Sequence, residues 1–208
     1  MSTSAEHVEG HMEHRDDVAS RMGVWLFLFT ELLLFGGMFL VFAVYKYIHY
    51  DEFHLAAKEL NSSIGALNTI ILLTSSLTIA LSITALQQGK KMLSIYLQVL
   101  TIVFAFGFMI NKYVEWSSKI SHGIYPGSEE LLAKTSGEIL FFGLYYVMTG
   151  LHALHVIIGV ILIAFMTYGT IKNTINSDKY VRLEAAGLYW HLVDVIWIFL
   201  FPLFYLIA

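Results

Sequence analysis

The chain has 208 residues without cysteine, and 57% of them are hydrophobic while 13% are charged, far below the roughly 25% charge of a soluble domain. This composition predicts a membrane protein, and the lack of cysteine excludes disulfides, thiolate metal sites, iron–sulfur clusters and thiol catalysis. With a formal net charge of -4, the chain has no basic face for nucleic acid, so nucleic acid is excluded as a partner.

Residues 1–20 are polar and carry three histidines, three glutamates and two aspartates. We expect this N-terminal segment to be poorly ordered and residues 21–208 to form one transmembrane domain. The segment lacks the short basic leader of a secretory signal, so the first span is expected to be retained. Helical spacing of His7, His11 and His14 leaves weak zinc binding open as the less favoured interpretation.

Five apolar runs are long enough to cross a bilayer core, which takes about 20 helical residues. The alternating pattern of membrane barrel strands is absent, so the fold class is an all-α bundle of five transmembrane helices. The fourth run is long, which predicts a tilted helix or one that emerges into the interface. The predicted spans are 22–45, 64–86, 92–110, 139–168 and 185–208.

The distribution of basic residues predicts a cytoplasmic N-terminus and a C-terminus outside, because positive charge favours the cytoplasmic side. Seven lysines and arginines fall on the N-terminal side and five on the opposite side. The two outer loops are then 51–61 and 117–137, and residues 87–91 form a tight inner turn. The second span is rich in serine, threonine, glycine and alanine, which predicts close packing inside the bundle.

Placing an ionisable side chain within a membrane span costs free energy, so such residues often mark functional positions. Glu31 lies about nine residues into the first span. Four interpretations of its carboxyl stay open: a contact with a lipid headgroup, a contact with a partner, a proton site, or a hydrogen bond to a neighbouring helix. Glu115 and Glu138 lie near span ends. The tryptophans, including Trp25, are typical of interfacial belts and packing.

Two polar faces occur on the last two spans. His152 and His155 are spaced i, i+3 on the fourth helix, as are His191 and Asp194 on the fifth, with Glu184 two turns earlier. Hydrogen-bonded structural pairs are the favoured interpretation. A b-type haem needs only two histidines and stays open, whereas a di-iron site is excluded because no span contains Glu-x-x-His.

Four motifs resemble subunit III of the haem-copper oxidases, the family shared by cytochrome c oxidases and bo-type quinol oxidases. The stretch from Glu184 to Leu200 is similar to the last-helix signature, in which Tyr-Trp-His is followed by Val-Asp and Trp. The segment Thr149 to Gly159 resembles Thr-Gly-Phe-His-Gly-Leu-His, with Leu151 and Ala153 as mild departures. The other two motifs are Phe29-Thr30-Glu31 followed by Phe35-Gly36, and Tyr113-Val114-Glu115-Trp116.

The resemblance implies an accessory subunit without cofactor or metal, packed on a subunit I that carries the haems and copper. Subunits II and IV and phospholipids are further implied partners, and the location is a bacterial plasma membrane. Such subunits support oxygen access and proton uptake and protect subunit I during turnover. Longer members have seven helices, and this chain starts where their third would begin, as short five-helix bacterial forms do.

By residue, the resemblance implies a lipid or subunit I contact at Glu31, Trp25 and Glu115. It also implies that Glu184, His191 and Asp194 pair with His152 and His155. Three other functions stay open: an accessory subunit of a related nitric oxide reductase, a b-haem membrane cytochrome, and a transporter. The spans lack the broken helices typical of transporters, which disfavours the last.

Overall fold

The computed structural model describes residues 3–207, with side chains from Met22 onwards. Within that range the chain forms helices joined by short connections and has no strand. The seven helices are α1 (Thr3–Ile48), α2 (Tyr50–Ala57), α3 (Ser62–Gln87), α4 (Lys91–Ser121), α5 (Glu129–Leu132), α6 (Ser136–Ile171) and α7 (Val181–Tyr205).

Five of these helices, α1, α3, α4, α6 and α7, are long and apolar enough to cross a membrane. The prediction of an all-α membrane protein with five spans is therefore confirmed. The predicted inner turn also forms, since α3 ends at Gln87 and α4 begins at Lys91, with Gly89 between them at a φ of +75° that favours glycine. Which side of the membrane each end faces stays a prediction.

The helices α2 and α5 occupy the two connections that were predicted as loops, and α4 runs well past the predicted end of its span at residue 110. The extension has a physical reason. Lys112, Glu115 and Lys119 interrupt the apolar run, yet all three lie on the buried face of α4. Their hydrogen-bond partners there include tyrosines of α6 and α7 and the Glu59 carbonyl. The helix therefore continues inside the bundle.

The core lies among α3, α4, α6 and α7. The side chains of Trp190, Trp197 and Phe204 on α7 are fully buried. The small residues of α3 allow this packing, as predicted, because the ring of Phe201 lies against Gly65. Lys91, the first residue of α4, links that helix to the end of α6. Its ammonium donates to the Ile171 carbonyl at 3.0 Å and thereby caps α6.

Helix α1 lies on the outside of this bundle. Within its membrane span, the buried side chains are Leu28, Phe35 and Phe42, which recur every seven residues. These three residues form the α1 seam, which packs on α6 and α7 through ring contacts such as Phe42 with Phe204 at 4.9 Å between centroids. Most other residues of this span are exposed. The predicted poor order of residues 1–20 stays a prediction, and the side chains of His7, His11 and His14 lie outside the described residues.

Candidate functional site

Four polar side chains from three helices form a compact buried cluster. The Lys112 ammonium donates to Glu115 Oε2 at 3.0 Å, to the Tyr145 hydroxyl at 3.1 Å and to the Tyr205 hydroxyl at 2.8 Å. The two tyrosine hydroxyls donate in turn to the carboxylate, at 2.8 Å from Tyr145 and 2.7 Å from Tyr205. This lysine–glutamate cluster therefore satisfies every charge that it buries.

The sequence builds this cluster through the spacing of α4. Its buried residues recur at three- and four-residue intervals from Ser94 through Phe108 to Lys112, Glu115 and Lys119, which is the period of one helix face. The cation also lies over aromatic rings, 5.1 Å from the Trp197 ring centroid. Such contacts attract a desolvated ammonium, so the cluster ties α4, α6 and α7 together.

Glu115 was predicted as a lipid or subunit I contact, which stays a prediction, but within this chain the residue lies inside the bundle. Its side chain is buried among Lys112, Tyr145 and Tyr205, which leaves no free carboxylate oxygen for an outside partner. The reason is the orientation of the α4 face, which directs the residue into the bundle.

Glu31 on α1 pairs with His155 on α6, where Glu31 Oε2 lies 2.8 Å from His155 Nε2. The other ring nitrogen, Nδ1, lies 2.7 Å from the Leu151 carbonyl and must donate to it, because a carbonyl only accepts. The glutamate and Nε2 consequently share one proton, carried by either group. Both side chains are largely buried, at 15% and 10% exposed, so this is a polar link beneath the edge of the bundle.

The predicted pairing of His152 and His155 with His191 and Asp194 is not formed. His155 binds Glu31 instead, and His191 Nδ1 lies 2.5 Å from the Ser76 hydroxyl on α3, because α7 turns that face toward α3 and α1 covers His155. Within residues 22–207, the polar side-chain atoms of His152 and Asp194 have no hydrogen-bond partner. Glu184 lies in the first turn of α7, and its predicted pairing stays a prediction.

A haem between the predicted histidines does not fit this arrangement. Both ring nitrogens of His155 are engaged, and His152 is enclosed by Phe108 and Trp197 at 5.6 and 5.3 Å between ring centroids. Across the side chains that the structure describes, no group of three or more histidine, aspartate or glutamate residues could hold a metal ion.

A second charged group joins the connection between α2 and α3 to the connection between α5 and α6. Lys134, between α5 and α6, forms an ion pair with Glu59, between α2 and α3, and lies 3.5 Å from Glu138. Glu138 also completes a capping box with Thr135 at the start of α6. The Lys119 ammonium also donates to the Glu59 carbonyl at 3.1 Å. We call Glu59, Lys119, Lys134 and Glu138 the clasp, and it fixes the connection that follows α2.

The clasp gives a pH-dependent prediction. Partial burial lowers the pKa of Lys134, but the hydrogen bond and charge of Glu59, together with Glu138, outweigh burial and raise the pKa above the ordinary 10.5. A raised pKa means that the stabilisation is complete below 10.5 and is lost as pH rises through the raised value. Lys134→Met should lower the free energy of unfolding by about 0.2–1 kcal/mol at neutral pH, the range for partly exposed ion pairs.

Thermal unfolding as a function of pH tests this. The difference between wild type and Lys134→Met should shrink at strongly alkaline pH, while Lys58→Met, in the connection that carries Glu59, serves as control. A difference that stays constant across the alkaline range would show that the clasp contributes no ion pairing.

Two of the most connected residues, Tyr145 and Tyr205, were not predicted from the sequence. The signal that could have found Lys112 is its spacing of i, i+3 to Glu115 and i, i+7 to Lys119, which places all three on one face. The tyrosines carry no comparable local signal, because their partner is 30 residues away in one case and 90 in the other.

Comparison with known proteins agrees with the four motifs. The family model described as cytochrome c oxidase subunit III matches residues 3–208. The heme-copper oxidase subunit I+III of Aeropyrum pernix is 27% identical over 98% of this chain and 25% of its own length. The chain thus spans a quarter of that relative.

Two further relatives are matched over most of their length. Cytochrome c oxidase subunit 3 of Prototheca wickerhamii is 32% identical over 95% of this chain and 72% of its own. Cytochrome bo(3) ubiquinol oxidase subunit 3 of Pseudomonas putida is 30% identical over 90% of this chain and 85% of its own. The resemblance seen in the sequence is thereby confirmed, and this multi-pass membrane chain belongs to the cytochrome c oxidase subunit III family.

Proposed function

We propose that the chain is the accessory subunit III of a proton-pumping haem-copper respiratory oxidase in a bacterial plasma membrane, with its N-terminus in the cytoplasm. It carries no redox group of its own; the haems and copper belong to subunit I. Its work is to stabilise subunit I, to bind phospholipid and to support oxygen access and proton uptake. The observation that carries this proposal is the match of the family model to residues 3–208.

Subunit I is the main partner in this proposal, with subunits II and IV as further contacts. The support comes from the relative in Aeropyrum pernix, whose name joins subunits I and III in one protein. Its match extends over 98% of this chain. A covalent link keeps the two parts of that relative close together, which supports a contact between the corresponding separate chains.

The outward face of α1 is the surface that we propose for this contact or for the lipid between the subunits. The α1 seam uses only one side of the helix, and Trp25 on another side is 62% exposed. Large apolar side chains there meet acyl chains or a partner helix equally well. Glu31, at the edge of the same helix, adds a polar group near that surface through its bond to His155.

Purification from native membranes tests the proposal. The tagged chain, extracted in mild detergent, should bring down a large haem-containing protein that consumes oxygen, and the chain stripped from that protein should be colourless. A chain that comes alone and shows its own Soret band would instead establish a haem protein and overturn the accessory function.

We expect Trp25→Ala to weaken the attachment of the chain to subunit I, because the substitution removes a large exposed aromatic surface from the proposed contact. The matched control is Phe165→Ala on α6, since Phe165 is 65% exposed on a helix outside that surface. The measurement is the fraction of the chain retained on subunit I after detergent washing, with phospholipid quantified by mass spectrometry. Oxygen consumption of the Trp25→Ala complex should also decay faster during turnover.

Equal retention of the two variants would place the contact elsewhere on the chain. A loss of bound phospholipid with unchanged retention would assign Trp25 to lipid rather than to subunit I.

A further inference from the structure

The indole of Trp197 lies at the centre of the bundle and contacts side chains from three other helices. Its Nε1 donates to the Thr69 hydroxyl on α3 at 3.1 Å. The His152 ring of α6 lies 5.3 Å from the indole, and the Lys112 ammonium of α4 lies 5.1 Å from it. Asp194 precedes Trp197 by one turn on α7 and shares its face.

Five polar atoms in this region are buried without a partner. They are both ring nitrogens of His152, both carboxyl oxygens of Asp194 and Nδ2 of Asn68, which have no hydrogen bond to any residue from 22 to 207. Asn68 is next to Thr69 on α3, and its Oδ1 accepts from Asn111, the neighbour of Lys112. We call the group of Asn68, His152, Asp194 and Trp197 the Trp197 layer.

Neighbouring side chains meet only a small part of this need. The Ser76 hydroxyl lies 2.5 Å from His191 Nδ1 and close to Asp194, so it can offer at most one hydrogen bond to that carboxyl, and His152 and Asn68 Nδ2 have no such neighbour among residues 22–207. His152 and Asn68 are fully buried and Asp194 is 2% exposed. Lipid cannot supply hydrogen bonds, so a polar atom in a membrane bundle depends entirely on partners inside it.

The hydrogen-bonding groups of these side chains indicate which kind of ligand would bind here. A neutral imidazole presents one donor and one acceptor, a carboxylate accepts, and the amide nitrogen of Asn68 donates. A small molecule that both donates and accepts satisfies all of them, and buried water typically makes two to four such bonds. A metal cation would be repelled by the Lys112 ammonium and by the amide hydrogens of Asn68.

We propose that the Trp197 layer is a binding site for ordered water, which hydrogen-bonds His152, Asp194 and Asn68 in the interior of the bundle. The water replaces direct pairing between these side chains. It also makes the middle of the bundle polar between the lysine–glutamate cluster on one side and the hydroxyls of α3 on the other.

Hydroxyl-radical footprinting of the intact complex tests the site, because radicals formed from bound water modify the side chains next to it even when bulk solvent has no access. Modification of His152 and Trp197, normalised to the intrinsic reactivity of each side chain, should exceed that of Phe42 several-fold. Phe42 is an equally buried control, packed against Phe53, Phe141 and Phe204. Modification of His152 and Trp197 at the level of Phe42 would show that the layer is dry.

A pair of substitutions provides the second readout. If water is bound, His152→Leu removes one of its partners, so the thermal midpoint should fall and the footprint at Trp197 should decrease, while His152→Gln preserves both. If the layer is dry, His152→Leu instead removes an unsatisfied polar group, and the midpoint should rise. A rise would overturn the proposal, whatever the footprint shows.

Discussion

Glu115→Leu should lower the free energy of unfolding of the chain by about 3–5 kcal/mol, the cost of leaving one buried charge without its partner. The variant keeps the Lys112 ammonium inside the bundle, where two tyrosine hydroxyls remain as its hydrogen-bond partners. A hydroxyl can accept from the ammonium but cannot neutralise it. The measurement is chemical or thermal unfolding in detergent, followed by circular dichroism and by intrinsic tryptophan fluorescence, since Trp197 lies over the same cation.

The double variant Lys112→Met, Glu115→Leu is the control for charge. Replacing a buried ion pair as a unit by apolar residues of similar volume is often neutral or stabilising. We therefore expect the double variant to recover most of the stability that Glu115→Leu loses, with the two tyrosine hydroxyls left to bond each other. They already lie 3.4 Å apart. A double variant as unstable as the single one would show that shape, not charge, dominates the cluster.

Gly159→Ala should separate α6 from α7. A Cβ atom at this position would lie 2.7 Å from the Trp190 ring, closer than van der Waals contact allows. The indole cannot move aside easily, because it is fully buried and its Nε1 donates to Ser75 at 3.0 Å. Overpacking of this kind costs about 1–3 kcal/mol, which a shift in the thermal midpoint would report.

Gly143→Ala on the same helix is the matched control. No atom lies within 4 Å of a Cβ placed there, and alanine favours helix over glycine by about 0.5–1 kcal/mol. The control should therefore be unchanged or slightly more stable. Equal destabilisation of the two variants would mean that α6 needs its glycines for a reason other than the contact with Trp190.

The number of spans could be predicted from the sequence because lipid requires about 20 apolar residues per helix, a local property of the chain. The end of α4 could not be predicted in this way. Lys112 and Glu115 interrupt the apolar run, and a sliding average of hydropathy does not record whether a charged residue faces lipid or a partner helix. The helical spacing of the buried α4 residues does contain that information, but only when the face is followed from Ser94 onwards.

The sequence identified polar residues of the candidate site but did not predict which of them would contact one another. The motifs identified Glu31, His155, His191 and Asp194 as exceptional polar residues within spans. Their partners depend on which helices become neighbours, and the bond from Glu31 to His155 crosses 124 residues of chain. No periodicity within one helix indicates such a partner, so tertiary packing decides it.

The narrow seam of α1 has a consequence for biosynthesis. The chain is made from its N-terminus, so the span in α1 enters the bilayer before two of the helices that contact its seam, at Phe35 and Phe42. Those helices, α6 and α7, leave the ribosome after α3 and α4. Until then the first span stays in lipid with Phe53 of α2 as a contact for Phe42, and its docking is complete only when α7 has arrived. Helix α1 is therefore the first of these helices to insert into the bilayer, and its docking on α6 and α7 is a late step in forming the bundle.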